Sequence, residues 1–195
     1  MFCGIIYSLG CDIMLLTKDI LDEKDKRLRK KNVDVSFPLN PKYKKMINDM
    51  LEHLRLSQIE EEAEKYDLRP GMGLAAPQVG INENFFVVCY EEEEGVFRDY
   101  VLINPKLVSH SEELIYSSGG EGCLSVNREV EGIVPRYARV TMEAYDMDGK
   151  KIHVRGREEL AIAFQHELDH LNGIMFTDHI DKKNPYKDKD QMRAI

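Results

Sequence analysis

Cysteine is scarce: Cys3, Cys11, Cys89 and Cys123 are the only four in 195 residues. Their spacings match neither a disulfide framework nor a paired C-x-x-C metal site, so a staple-held secreted miniature is excluded and a reducing compartment is expected. Long apolar runs are lacking too; none approaches the ~18 residues of a membrane span, and no membrane partner is expected. No Lys or Arg precedes Lys18. The mildly apolar opening, with Ser8 to Cys11 faintly like a lipoprotein cleavage site, therefore lacks the basic start of an export signal, and a cytoplasmic location is the expectation. Internal repeats and low-complexity segments are absent. Positive charge is in deficit, 27 Lys+Arg against 35 Asp+Glu for a net −8. Such a surface repels phosphate backbones and argues against general nucleic-acid binding, while leaving room for a local basic patch.

What remains is a globular mixture, 43% hydrophobic and 32% charged, which excludes wholesale disorder. The length fits one domain. Residues 14 to 35 are dense in charge and are expected to wrap the surface, anchored by Leu15, Leu16, Ile20, Leu21 and Leu28. Asn40 and Pro41 supply a helix cap and first turn, after which Tyr43, Met46, Ile47, Met50, Leu51 and Leu54 recur at helical spacing. The acidic stretch Glu60 to Glu64 extends that helix or starts a loop. Phe85 to Tyr90 and Tyr100 to Ile103 read as a hairpin across a charged turn at Glu91 to Gly95. Arg139 to Tyr145 and Ile152 to Val154 read as a second hairpin, turned at Asp148-Gly149. Glu158 to Leu171 is a helix stopped by Asn172-Gly173. Strands first and one late helix predict an α+β fold. The lysine-rich segment beyond Asp181 is expected to be a polar, mobile tail.

The chemistry concentrates in three places. His166, Glu167, Leu168, Asp169 and His170 spell H-E-x-x-H in the late helix. Positions i and i+4 differ by about 40° of helical rotation, so both imidazoles face one side and can hold one metal ion, with Glu167 beside them as a general base. A hydrolytic site needs a third ligand and an open position. Downstream, Asp178 or Asp181 would have to serve, as in zincin proteases; His179, nine residues after His170, does not fit the six-residue step of their longer pattern. Upstream, Cys123 sits between Gly122 and Leu124, and its thiolate suits a tetrahedral site with two imidazoles. Cys89, inside an apolar strand, reads as a small buried hydrophobe. The third place is Gly71-Met72-Gly73-Leu74-Ala75-Ala76-Pro77-Gln78, whose glycines permit close approach of a backbone or ligand.

Taken in order, G-x-G-L-A-A-P-Q, E-G-C-L-S and Q-H-E-x-D-H resemble the peptide deformylase family, from about Met14 to about Asp181. The long stretch before the glycines is similar to the larger subtype common in Gram-positive bacteria. The resemblance implies an α+β fold with antiparallel sheets packed around the late metal-binding helix, and a single catalytic domain over 14–181, with an extension at 1–13 and the polar tail at 182–195. It implies metal-dependent hydrolysis of the formyl group from the N-terminal formylmethionine of newly made polypeptides, releasing formate in the cytoplasm, with ribosomes nearby. Cys123, His166 and His170 would hold one divalent ion, Fe2+ in the cell, with Zn2+ or Ni2+ in isolated protein. Glu167 would be the acid and base, and Gln78 and the Leu124 N–H the oxyanion donors. Gly73 would contact substrate, and Met72 and Ile162 would line the methionine pocket. The rival readings are an H-E-x-x-H metallopeptidase and a catalytically silent metal- or peptide-binding relative.

Two departures from the family pattern stand out. Glu159 occupies a position that is generally apolar or aromatic beside the substrate pocket; its carboxylate is expected to turn to solvent or toward Arg155 or Arg157. Met1 to Ile13 precede the usual start, as an extension or through a start-site choice with Met14 as initiator, and are assigned no function.

Overall fold

The computed structural model describes residues 14–93 and 95–195; the extension at 1–13, with Cys3 and Cys11, and Glu94 of the first hairpin turn lie outside the described residues. Asn40 caps the first helix, α1 (Pro41–Ser57), by accepting the Lys42 N–H at 3.0 Å. Pro41 fills the first turn, where a missing N–H costs nothing. Ile47, Met50, Leu51 and Leu54 are buried along one stripe, as their spacing predicts. The acidic stretch neither extends α1 nor remains a loop. Gln58 and Ile59 break the helix, and a separate α2 (Glu60–Tyr66) follows with no buried residue, ending at Asp67 in the left-handed region, φ 53°.

Five strands form the main antiparallel sheet: β1 (Gly73–Ala75), β2 (Phe85–Glu93), β3 (Val96–His110), β6 (Arg139–Tyr145) and β7 (Lys151–Arg157), in the order β1-β2-β3-β6-β7. The smaller sheet is β5-β4-β8, from β4 (Leu114–Tyr116), β5 (Arg136–Tyr137) and β8 (Arg193–Ala194), with β8 parallel to β4. Where the sequence predicts a mobile tail, the chain instead adds this last short strand. Arg193 fixes it through ion pairs to Glu113 and Glu158, each at 2.8 Å.

β2 has Phe85 to Cys89 fully buried because the sheet is covered on both faces. Phe85, Val87 and Cys89 join the α1 cluster. Phe86 and Val88 point the other way, into Leu160, Ala161 and Phe164 of α3 (Glu158–Leu171). Each such side chain contributes about 1.5–3 kcal/mol on burial, so the sheet holds α3 firmly against one face. β3 runs past the expected end at Ile103. Asn104 takes φ 51°, and its amide bonds both the N–H and C=O of Val35, at 2.8 and 2.9 Å, tying the N-terminal wrap to the sheet. Leu15, Ile20 and Leu28 of that wrap are buried, as expected. Among the described residues no helix is long and apolar enough to cross a membrane.

Candidate active site

The fold brings α3, the loop before β1 and the loop after β4 to one cavity of about 350 Å³. Cys123, His166 and His170, all buried, present ligand atoms within 4.8 Å of one another, and Cys123 Sγ lies 3.3 Å from His170 Nε2. The i, i+4 spacing sets the two rings 4.9 Å apart. A thiol with two imidazoles is a donor set for a borderline divalent ion, so the residues fit a metal. The electrostatics agree. Burial opposes charge on His166, yet its hydrogen bonds to Cys123 and Glu121 carry its pKa well above normal. Burial first, then His166, push His170 well below normal, leaving the neutral imidazole that a ligand must be.

Around these three stands a support that sequence reasoning missed. His166 Nδ1 lies 2.9 Å from Glu121 Oε2, which fixes the tautomer with Nε2 free. Glu121 takes two hydrogen bonds from Arg136, at 2.7 and 2.9 Å; Arg136 also reaches Asp169 at 2.6 Å, and His179 lies 2.7 Å from the same Asp169 oxygen. Burial alone would raise the Glu121 carboxyl, but Arg136 and His166 hold it down at about 2. Arg69 donates to the carbonyls of Cys123 and Val126, at 3.1 and 3.0 Å, and to Asn127, pinning the thiol loop from behind. Glu121 and Asp169 stand inside the quoted motifs and could have been read from them; no local pattern marks Arg69 or Arg136.

Glu167 is buried beside His166, with its carboxyl pushed up to about 7 by burial. A Cβ on Gly73 would lie 2.8 Å from Glu167 Cδ, so only glycine lets the strand run past the carboxylate. Gln78 is fixed through the Ala75 N–H to its Oε1 at 2.8 Å, which aims its Nε2 at Ser125 Oγ, 3.1 Å, and Cys123 Sγ, 3.7 Å. Leu124, Met72 and Ile162 line the same cavity. Asp178 and Asp181, the other candidate third ligands, are engaged elsewhere. Asp178 pairs with Arg29, and Asp181 caps the Lys183 and Asn184 N–H groups. The Cys89 thiol is buried in the sheet, and burial pushes it up to about 12.

The chain matches the family model for polypeptide deformylase over residues 17–186. The chain belongs to the peptide deformylase family. It is 46% identical over 182 residues to peptide deformylase 2 of Bacillus cereus, covering 93% of this chain and 99% of that one. It is 50% identical over 172 residues to a Listeria monocytogenes peptide deformylase, covering 88% and 94%. A solved Arabidopsis thaliana peptide deformylase superposes with a TM-score of 0.70 at 28% identity, covering 88% of this chain and 86% of that one. The α+β architecture is that of the family. A peptide deformylase is a metal-dependent hydrolase of the N-formyl amide C–N bond, which disfavours the metallopeptidase reading.

Glu159 is exposed and lines the cavity with Ile162 and His166, the face their spacing of three and seven residues predicts. Among the described residues it makes no ion pair, so its carboxylate sits in solvent at the rim. Replacing it with an apolar wall, Glu159→Tyr, is expected to lower KM for formyl-methionyl peptides and leave kcat nearly unchanged. Identical KM values in steady-state assays would remove Glu159 from the substrate pocket.

Proposed function

We propose that the chain removes formate from N-formylmethionyl polypeptides with Glu167 as the proton carrier and Cys123, His166 and His170 as the holders of one divalent ion, Fe2+ in the cell. The observation that carries this reading is a thiol and two imidazoles with ligand atoms within 4.8 Å of one another, beside the buried Glu167 carboxyl, which burial pushes up to about 7. A divalent ion held by Cys123, His166 and His170 would supply Lewis acidity for the attack of water on the formyl group. Glu167, poised near neutral pH, takes a proton from the attacking water and returns it to the leaving amine nitrogen, so water and amide yield formate and a free N-terminus. Gln78 Nε2 and the Leu124 N–H receive the developing oxyanion; losing one such donor costs about 3 kcal/mol of transition-state stabilisation. Gly73 offers its backbone to the substrate chain. Met72 and Ile162 take the methionine side chain.

The formyl carbon bears only hydrogen, and a tight cavity admits it while rejecting acetyl groups on size. Formyl-Met-Ala-Ser is therefore cleaved and acetyl-Met-Ala-Ser is not; equal rates on both would defeat the assignment. The substrates are nascent chains, which puts the work in the cytoplasm, with ribosomes nearby. The ferrous form is expected to be more active than the zinc form and to decay in air, because a thiolate ligand softens the Lewis acidity of zinc and is itself oxidisable. Anaerobic and aerobic rates of the two metal forms test this, and equal, air-stable activities would contradict it.

A further inference from the structure

Away from the cavity, the part of the sheet surface left uncovered at β6 and β7 is rich in basic side chains, in a chain whose net charge is −8. Along β7, Lys151, His153, Arg155 and Arg157 are all exposed at alternate positions, about 6.8 Å apart. Arg157 stands directly opposite Arg139 on β6, and Arg155, two pairs further on and on the same face, stands opposite Thr141. Like charges facing across a ladder destabilise a sheet, and no carboxylate offsets this pair from within the strands. Glu143, on β6, is taken by Lys151 and His153, at 3.0 and 3.4 Å, and Arg139 reaches Glu113 at 3.0 Å. Arg155 and Arg157 make no ion pair among the described residues. These three arginines, with Ser109, Ser111 and Thr141, line a depression of about 220 Å³ that contains no acidic residue.

We infer that this depression and the β7 row are a binding track for the backbone phosphates of RNA. Protection of an edge strand asks only for charge. It does not ask for arginines of one sign facing each other around a hydroxyl-lined hollow. Guanidinium groups suit phosphate oxygens through paired N–H donors. A straight row of basic side chains repeating every second residue suits a linear polyanion of regular charge; a membrane surface would ask for apolar anchors, and this row has none. β7 runs into α3, so the track ends next to Glu159 at the cavity mouth.

The test is fluorescence anisotropy of a labelled hairpin RNA with the full-length protein, against inorganic phosphate, vesicles of phosphatidylglycerol and polyglutamate. Three phosphate contacts predict an affinity that falls about 40-fold between about 50 and 200 mM salt. In Arg155→Ala/Arg157→Ala the loss over the same range shrinks to about 3-fold, the salt slope falls by about 2, and low-salt binding weakens. Arg155→Lys/Arg157→Lys restores most of the slope, and all forms cleave a short formyl peptide alike. No RNA binding by the unaltered protein, an unchanged slope in the alanine variant, or binding to vesicles or polyglutamate in preference to RNA would each overturn the inference.

Discussion

Glu167→Gln is expected to keep its metal and lose between about 10²- and 10⁴-fold in kcat, the usual worth of a positioned general base. The amide conserves shape, and the three ligand residues are untouched, so binding survives. A glutamine cannot accept the proton. Burial is what raises the Glu167 carboxyl to about 7, and the same burial sets a second expectation. A group whose folded pKa lies above its ordinary value contributes its stability below about 4.5 and loses it as pH rises through about 7. The metal-free glutamine variant is therefore expected to have a higher Tm than the metal-free parent at pH 8, with the difference vanishing toward pH 4. Metal analysis, turnover and melting curves on one preparation measure all three. Near-parental turnover would take Glu167 out of the mechanism.

Arg136→Met is expected to be the most destabilising change near the site. Arg136 and Glu121 are 3% and 4% exposed, so neither has water to fall back on when its partner leaves. Breaking a buried pair from one side typically costs about 3–5 kcal/mol, because the remaining charge stays buried without compensation. Glu121 is held at about 2, so this contribution is present above about 4.5 and is lost as pH falls through 2. Glu121 also orients His166, and a loosened support typically lowers metal affinity by 10- to 100-fold. Urea unfolding at neutral pH together with a chelator competition measures both effects. A loss under about 1 kcal/mol with unchanged metal affinity would show that the network is ornamental, and Arg136→Lys, which keeps the charge, should recover part of the stability.

Much of the site was legible because its residues are local. His166, Glu167 and His170 follow from one helical turn, and the cap at Asn40 and the stop at Gly173 follow from backbone chemistry. Cys123 could be singled out by its setting between glycine and leucine, but its meeting with the two imidazoles spans more than forty residues and rested on the resemblance. Arg136 reaches Glu121 and Asp169 across 15 and 33 residues, and no periodic pattern records such a contact. The fold shows the same division. The sequence marks strand character only to Ile103, whereas β3 continues through Asn104-Pro105, which it absorbs as an irregularity beside β6. β1 and β8, three and two residues long, are too short to show alternation, and β8 exists only through its partner β4 and the ion pairs of Arg193.

Formate release from formyl-Met-Ala-Ser by protein loaded with iron in the absence of oxygen tests the central claim most directly. The account predicts one formate and one free Met-Ala-Ser per substrate consumed, with turnover that disappears together with bound metal in Cys123→Ser. Protein that holds one metal ion per chain and releases no formate, or a Cys123→Ser variant with full metal occupancy and undiminished turnover, would contradict it.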